Sequence, residues 1–214
     1  IYNPLDTEEI LRKSSPLSNE GVKTANYSDN NSNNTPTSGV GGLFVSVGTV
    51  FPQKGFDRLL KVHKKLLDEG FPHKIQIVGD GYDFQKTKQL ISDLNIEKTV
   101  EMTGFTDNPY PYFKNADFYI LSSRYEGFPT VLFEAITLKK NIIATDVSGV
   151  REMLLDGKLG LIVDNSDEGI YQGMKKALAD PHHFNAYQLR LKDYEMPFNL
   201  KNSVNSIMKI LDHL

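Results

Sequence analysis

The chain has 214 residues, of which 39% are hydrophobic and 24% are charged, and this composition is typical of one globular domain rather than a fibre or a disordered chain. Its 24 basic and 27 acidic side chains give a net charge of −3, which predicts no nucleic-acid partner and no general attraction to anionic lipid. The chain contains no cysteine, which excludes disulfides, thiolate metal sites and cysteine nucleophiles and favours a cytoplasmic location. No apolar run approaches the roughly 20 residues that cross a bilayer.

Residues 14–42 are predicted to form a flexible loop, because they are rich in Ser, Asn, Thr, Gly and Pro and contain almost no large apolar side chain. A glycine-rich nucleotide loop at Gly39, Gly41 and Gly42 is the competing interpretation. No predicted strand precedes these glycines, so the flexible loop is favoured.

From Leu43 onward, short β-branched or aromatic runs alternate with longer segments of helical period. The predicted strands are residues 43–47, 75–78, 99–103, 118–121, 142–145 and 160–163. A first helix has an apolar stripe from Phe56 to Leu67 and ends at Gly70. The further predicted helices are residues 83–94, 110–115, 129–138, 167–179 and 200–214.

This alternation predicts an α/β fold with a Rossmann-like parallel sheet of about six strands and helices on both faces. The strands are almost continuously apolar, which is typical of parallel strands buried on both sides. Ligands of such folds bind at the carboxyl ends of the strands, where the loops and helix N-termini gather. The candidate functional residues are therefore those that follow the predicted strands.

Two of these loops contain weak signals for a bound anion. Lys54 comes after the first strand, just before a helix, where a lysine and the helix amides can neutralise a phosphate. From this loop alone, a solvated surface lysine is favoured. Gly79, Asp80 and Gly81 after the second strand allow either a plain turn or a close approach of a ligand to the backbone. Phe84 stands where the dinucleotide fingerprint has its third glycine, which disfavours a nicotinamide or flavin site.

The loop after the fourth strand contains the strongest signal. Pro129 is predicted at the first position of a helix, so the free amides of residues 130–132 would favour an anion such as a diphosphate. Glu126 precedes this helix and Glu134 lies within it, and carboxylates are good acceptors for paired sugar or ribose hydroxyls. The alternatives are an exposed loop residue for Glu126 and a salt-bridged structural carboxylate for Glu134.

The segment from Glu126 to Ala135 resembles the E-x7-E motif of retaining glycosyltransferases of family 4, whose two-domain fold is called GT-B. Further motifs follow in the family's order, namely Val47-Gly48 to Leu60, Ile77 to Gly81, Thr103 to Thr106, Ser122-Ser123, and Thr145-Asp146 with Gly149 and Glu152. The resemblance covers about four fifths of the chain, and several ordered motifs are more specific than any single one.

The resemblance implies the C-terminal, nucleotide-sugar-binding half of such an enzyme. Residues 1–13 would derive from the interdomain linker, and residues 43–214 would form the Rossmann-like donor domain. The reaction would transfer a hexosyl group to an acceptor hydroxyl with the anomeric configuration kept, in surface polysaccharide or glycoconjugate synthesis. A missing N-terminal domain would bind the acceptor, a glycan or glycolipid, and would carry any contact of the full-length enzyme with the inner membrane face.

The roles of the family's residues carry over by position. Lys54 would bind the donor diphosphate, Glu134 the ribose hydroxyls, and the catalytic Glu126 the sugar hydroxyls near the anomeric carbon. The other implied donor contacts are Gly48, Thr49, Gly79, Asp80, Gly104, Phe105, Thr106, Gly127, Phe128, Pro129, Thr130 and Val131, with residues 104–106 lining the base. No metal or other cofactor is implied, because a lysine and a helix dipole replace the cation.

The chain departs from the family pattern at two places. Thr49 stands where the family usually has an arginine, so either another cation such as Arg124 replaces it or the donor binds more weakly. Lys139 and Asn141 stand where the family tends to have Gly and Pro, which alters only a helix end.

Two other functions stay open from the sequence. A sugar-nucleotide epimerase of GT-B architecture would share the nucleotide pocket, although the Glu126 to Glu134 motif argues against it. A catalytically silent nucleotide-binding module is suggested by Thr49.

Overall fold

The computed structural model describes residues 6–14 and 41–195. Its strands β1 to β6 are Leu43–Val47, Lys74–Val78, Val100–Gly104, Phe118–Leu121, Asn141–Thr145 and Leu161–Val163. Its helices α1 to α8 are Thr7–Lys13, Phe56–Asp68, Phe84–Asp93, Tyr110–Asn115, Thr130–Thr137, Val150–Met153, Asp167–Ala179 and Asn185–Asp193. Short 3₁₀ helices span Pro52–Lys54 and Pro181–Phe184.

All six predicted strands are confirmed to within one residue at each end. The helices expected between residues 56 and 179 are confirmed as α2, α3, α4, α5 and α7. The predicted helix at 200–214 lies outside the described residues, as does nearly all of the predicted loop at 14–42. Helices α1, α6 and α8 were not predicted.

The six strands form one sheet in the order β3-β2-β1-β4-β5-β6, and every pairing within it is parallel. This is the Rossmann order, which confirms the predicted fold class. Strands β1 and β4 are neighbours, with Phe44 opposite Phe118, although the chain builds β2 and β3 between them. The chain leaves β1 toward one edge of the sheet and leaves β4 toward the other, so the loops after these two strands diverge around a crevice.

The sheet has an apolar core on each face. On one face, β1 and β4 contribute Phe44, Phe118 and Ile120, which pack with apolar residues of α2 and α7. On the other face, Tyr119 packs with residues of α4 and α5 and with Ile10 of α1. Burying a large apolar side chain stabilises a fold by about 1.5–3 kcal/mol, so both layers hold the strand ends firmly in place.

The two helix ends singled out in the sequence have the geometry that glycine prefers. Gly70 follows α2 with φ +84°, as predicted for a C-terminal cap. Lys139 follows α5 with φ +54°, so this lysine occupies a left-handed position that favours glycine. The Lys140 amide donates to the Ala135 carbonyl at 3.0 Å, and the helix therefore still ends in an ordinary capping turn.

Two histidines are fully buried between α2 and the start of β2. His73 Nδ1 lies 2.8 Å from the Phe71 carbonyl, which must accept, so His73 Nδ1 carries a proton and its Nε2 accepts from His63 Nδ1 at 2.7 Å. His63 Nε2 lies 2.8 Å from Thr99 Oγ1. Burial and the neighbouring His73 lower the pKa of His63 to about 3, and burial lowers that of His73. Both imidazoles are therefore neutral in the folded chain.

This pair predicts that the fold loses stability in mild acid. Below about pH 6.5 the unfolded chain binds protons that the folded chain excludes, until the pH reaches the folded pKa. We expect each histidine to reduce the free energy of unfolding by up to about 1.4 kcal/mol per pH unit over this range. Urea unfolding at pH 7.5, 6.0 and 5.0 measures the slope, which His63→Gln should flatten and the exposed control His182→Gln should not. An unchanged slope in His63→Gln would contradict this prediction.

Candidate active site

The loop after β1 brings Lys54 back over the end of its own strand. Gly48 has φ +152°, and a Cβ at Gly48 would lie 3.2 Å from Lys54 Cε, so the lysine side chain lies against the bare glycine backbone. Gly55 has φ +67°, and a Cβ there would lie 2.2 Å from the Ser122 carbonyl oxygen. Gly48 therefore leaves room for the Lys54 side chain, and Gly55 lets the loop pack directly against the loop after β4.

Lys54 and Glu126 form an ion pair at this crossing. Lys54 Nζ donates to Glu126 Oε1 at 2.8 Å, and the two side chains are only 14% and 6% exposed. Ser123 Oγ donates to the same carboxylate oxygen at 2.5 Å. The solvated lysine and the exposed glutamate that the single loops allowed are therefore wrong, because each side chain shields the other from water.

Arg58 of α2 fastens the two loops together, and sequence reasoning did not identify it. This arginine is buried, its Nε donates to the Ser122 carbonyl at 2.8 Å, and its Nη2 donates to the Ser123 carbonyl at 2.6 Å and to Asn165 Oδ1 at 2.7 Å. Ser122 Oγ donates to the Lys54 carbonyl at 2.8 Å. Arg58 lies off the apolar stripe of α2, so the helical period of the sequence does not mark it as buried.

Arg124 supports the lysine loop from outside. Its Nη1 and Nη2 donate to the two carboxylate oxygens of Asp57 at 2.7 and 2.8 Å, and Nη1 also donates to the Pro52 carbonyl at 2.8 Å. This pairing lowers the pKa of Asp57. The guanidinium is committed to Asp57, which argues against the idea that Arg124 replaces the cation expected at the exposed Thr49.

Glu134 belongs to α5, and its side chain is half-buried between α5 and α4. Burial raises the pKa of this carboxyl to about 7, and a hydrogen bond from the Tyr110 hydroxyl works in the opposite direction. Burial and the neighbouring Glu134 raise the pKa of Tyr110 to about 12, so the phenol stays a donor. The structure thus places a phenol beside Glu134, and sequence reasoning missed this contribution of Tyr110.

The N-terminus of α5 differs from the prediction. Pro129 is the N-cap rather than the first helical residue. The amides of Thr130 and Leu132 donate to the carbonyls of Phe128 and Pro129, both at 2.9 Å, because the chain turns tightly before the helix. Of the three amides expected to be free, the Val131 amide alone has no carbonyl acceptor within the described chain.

The remaining predicted residues lie along the same edge of the sheet. The Gly79 amide donates to the Gly104 carbonyl at 3.0 Å, and a Cβ at Gly79 would lie 2.0 Å from the Gly48 carbonyl oxygen. Phe105 is exposed, while Thr106 Oγ1 accepts from the Asn108 amide at 3.2 Å. Asp80 caps its own turn, because its carboxylate accepts from the Gly81 amide at 2.7 Å. In the loop before α5, Phe128 packs against the core beneath the helix. Gly127 has open space where a side chain would stand.

Neither a metal cluster nor a membrane span occurs in the part of the chain that the structure describes. No three His, Asp or Glu side chains there are placed to hold a metal ion together. None of the helices there is long and apolar enough to cross a bilayer.

The fold is that of one half of a GT-B structure, as two solved structures show. Anabaena HepE, solved with UDP, superposes with a TM-score of 0.68 at 18% identity, over 80% of this chain and 49% of that one. WaaG, described as a glycosyltransferase of lipopolysaccharide biosynthesis, superposes with a TM-score of 0.69 at 22% identity, over 79% of this chain and 47% of that one.

The chain belongs to the family described as glycosyl transferases group 1, whose model matches residues 29–194. The N-acetylgalactosamine-N,N'-diacetylbacillosaminyl-diphospho-undecaprenol 4-alpha-N-acetylgalactosaminyltransferase of Campylobacter jejuni is 30% identical over 213 residues, 99% of this chain. The chain spans 52% of the length of that relative. The resemblance to glycosyltransferases of GT-B fold is therefore confirmed.

The raised pKa of Glu134 predicts a pH-dependent gain of stability in Glu134→Gln. As the pH rises from about 4.5 to about 7, the unfolded chain releases the proton of this carboxyl while the folded chain keeps it, so the folded chain loses stability. Glutamine has no proton to release over this range. We expect Glu134→Gln to be about 2 kcal/mol more stable than the unaltered chain at pH 8 and nearly equal to it at pH 4.5. Urea unfolding at both pH values tests this, with the exposed Glu97→Gln as control. Equal stability at pH 8 would show that Glu134 ionises freely.

Proposed function

We propose that this chain is the donor-binding domain of a retaining glycosyltransferase, which transfers a hexosyl group from a nucleotide diphosphate sugar to an acceptor hydroxyl. The observation that carries the proposal is the shielded Lys54–Glu126 pair at the crevice between the β1 and β4 loops. A cation and a carboxylate at one place suit a ligand that has an anionic part and a hydroxyl-rich part next to each other.

The diphosphate, the ribose and the sugar of the donor each have a candidate partner among the described residues. The Lys54 ammonium, with the free Val131 amide at the positive end of α5, would bind the diphosphate and neutralise it as the leaving group. Glu134 would accept from the ribose hydroxyls, and Glu126 from sugar hydroxyls next to the anomeric carbon. This arrangement would stabilise a leaving diphosphate through the lysine and the helix dipole, so the proposed reaction needs no metal.

The acceptor and the biological setting are inferred from the relatives. The name of the Campylobacter relative describes transfer of an α-linked N-acetylgalactosamine to a saccharide on diphospho-undecaprenol. An α-linked product made from an α-linked nucleotide sugar keeps its configuration, which supports retention. We propose a glycan or lipid-linked glycan as acceptor, bound by a second domain, in surface polysaccharide or glycoconjugate synthesis on the cytoplasmic side of the membrane.

Titration of the chain with UDP, GDP and ADP tests the donor site. We expect one nucleotide to bind, and we expect Lys54→Ala to weaken it by about tenfold or more, because a charge-assisted contact in a shielded site contributes about 1.5–3 kcal/mol. Lys61→Ala, on the exposed face of α2, is the matched control and should bind as the unaltered chain does. Calorimetry gives the dissociation constants directly.

Two results would contradict the proposal. Equal, weak binding of all three nucleotides that is indifferent to Lys54→Ala would favour the silent module suggested by Thr49. Slow exchange of the C2 configuration of a bound nucleotide sugar in the absence of acceptor would favour the epimerase.

A further inference from the structure

Lys54 and Glu126 contact each other, although the proposed function assigns them to different parts of one nucleotide sugar. The ammonium is assigned to the diphosphate and the carboxylate to the sugar. Yet Lys54 Nζ donates to Glu126 Oε1 at 2.8 Å, in a place where the two side chains are 14% and 6% exposed. A charge pair shielded from water is screened less than one on the surface, so the two groups act on each other strongly.

The carboxylate is held in place by the protein independently of the lysine. Ser123 is fully buried, and its Oγ donates to Glu126 Oε1 at 2.5 Å. The Ser123 carbonyl is fixed in turn by Arg58 Nη2 at 2.6 Å and by Thr145 Oγ1 at 2.7 Å. When Lys54 turns toward another anion, Glu126 therefore stays where it is.

The formal charges of this pair cancel, so the pair offers no net positive charge to bind a diphosphate. A diphosphate brings more than one negative charge, so it competes with Glu126 for the same ammonium and is repelled by the carboxylate. Three nearby positions do not replace the charge of Lys54. Position 49 is a threonine, which is uncharged. The Arg124 guanidinium is paired with Asp57, and Arg58 donates to backbone carbonyls. The competition is relieved when other donors, such as sugar hydroxyls, take over the Glu126 oxygens.

We propose that Glu126 is a specificity-determining residue that makes this site prefer a nucleotide sugar over the bare nucleoside diphosphate. The inference rests on the proposed function. A bound sugar supplies hydroxyls that donate to Glu126 in place of Lys54, and the ammonium is then free to bind the diphosphate. Once the sugar has been transferred, the carboxylate competes again for Lys54, which weakens the hold on the product and favours its release.

The inference predicts a gain of binding, which a damaged fold would not produce. Calorimetric titrations compare UDP with UDP-glucose, GDP with GDP-mannose, and ADP with ADP-glucose on the unaltered chain and on Glu126→Gln. For the base that is recognised, we expect the unaltered chain to bind the sugar conjugate more tightly than the bare diphosphate. Glu126→Gln should bind the bare diphosphate at least about fivefold more tightly than the unaltered chain does and should lose the preference for the conjugate.

Asp164→Asn is the control for a general loss of negative charge, since Asp164 is exposed in the loop after β6 at the same edge of the sheet. It should leave both affinities unchanged. Unchanged or weaker binding of the bare diphosphate in Glu126→Gln overturns this inference alone, and so does an equal gain in Asp164→Asn. Failure of all three nucleotides and their conjugates to bind any of the proteins overturns the proposed function and this inference with it.

Discussion

The site depends on a buried arginine that ties together two loops far apart in the chain. Ser122 and Ser123 follow β4, and Arg58 of α2 donates to the carbonyls of both and to Asn165 Oδ1. Buried carbonyls need donors, and a buried guanidinium needs acceptors, so neither side is stable without the other. Arg58 lies in the first turn of α2, shortly after the 3₁₀ helix that ends at Lys54, and Ser122 Oγ donates to the Lys54 carbonyl. These contacts also fix where the lysine backbone stands relative to Glu126.

The topology explains why these loops meet at all. Strands β1 and β4 lie side by side in the sheet, while the chain leaves them in opposite directions, and a crevice opens between their loops. Gly55 lets the backbones of these two loops approach without a side chain between them, and Gly48 leaves room for the Lys54 side chain. In this crevice Lys54 is paired with Glu126, and the charges of the pair cancel. A ligand is therefore attracted by the combination of the two groups rather than by their net charge.

The sheet could be predicted from the sequence because parallel strands buried on both faces are short apolar runs between helices. Helix α1 could not, since Ile10 is its only buried residue and one apolar side chain has no period. The burial of Lys54 was also hidden, because the shielding group, Glu126, lies 72 residues away. Three free amides were predicted at the start of α5, but two of them donate to the nearby carbonyls of Phe128 and Pro129. The burial of a strand or helix can be predicted from the pattern of neighbouring residues in the sequence, whereas hydrogen-bond partners depend on the assembled fold.

A crystal structure of this chain with the nucleotide sugar that it binds would test the central claim most directly. We expect diphosphate oxygens about 3 Å from Lys54 Nζ and from the Val131 amide, with sugar hydroxyls against Glu126 and ribose hydroxyls against Glu134. A diphosphate bound elsewhere, with Lys54 still paired to Glu126, would contradict it.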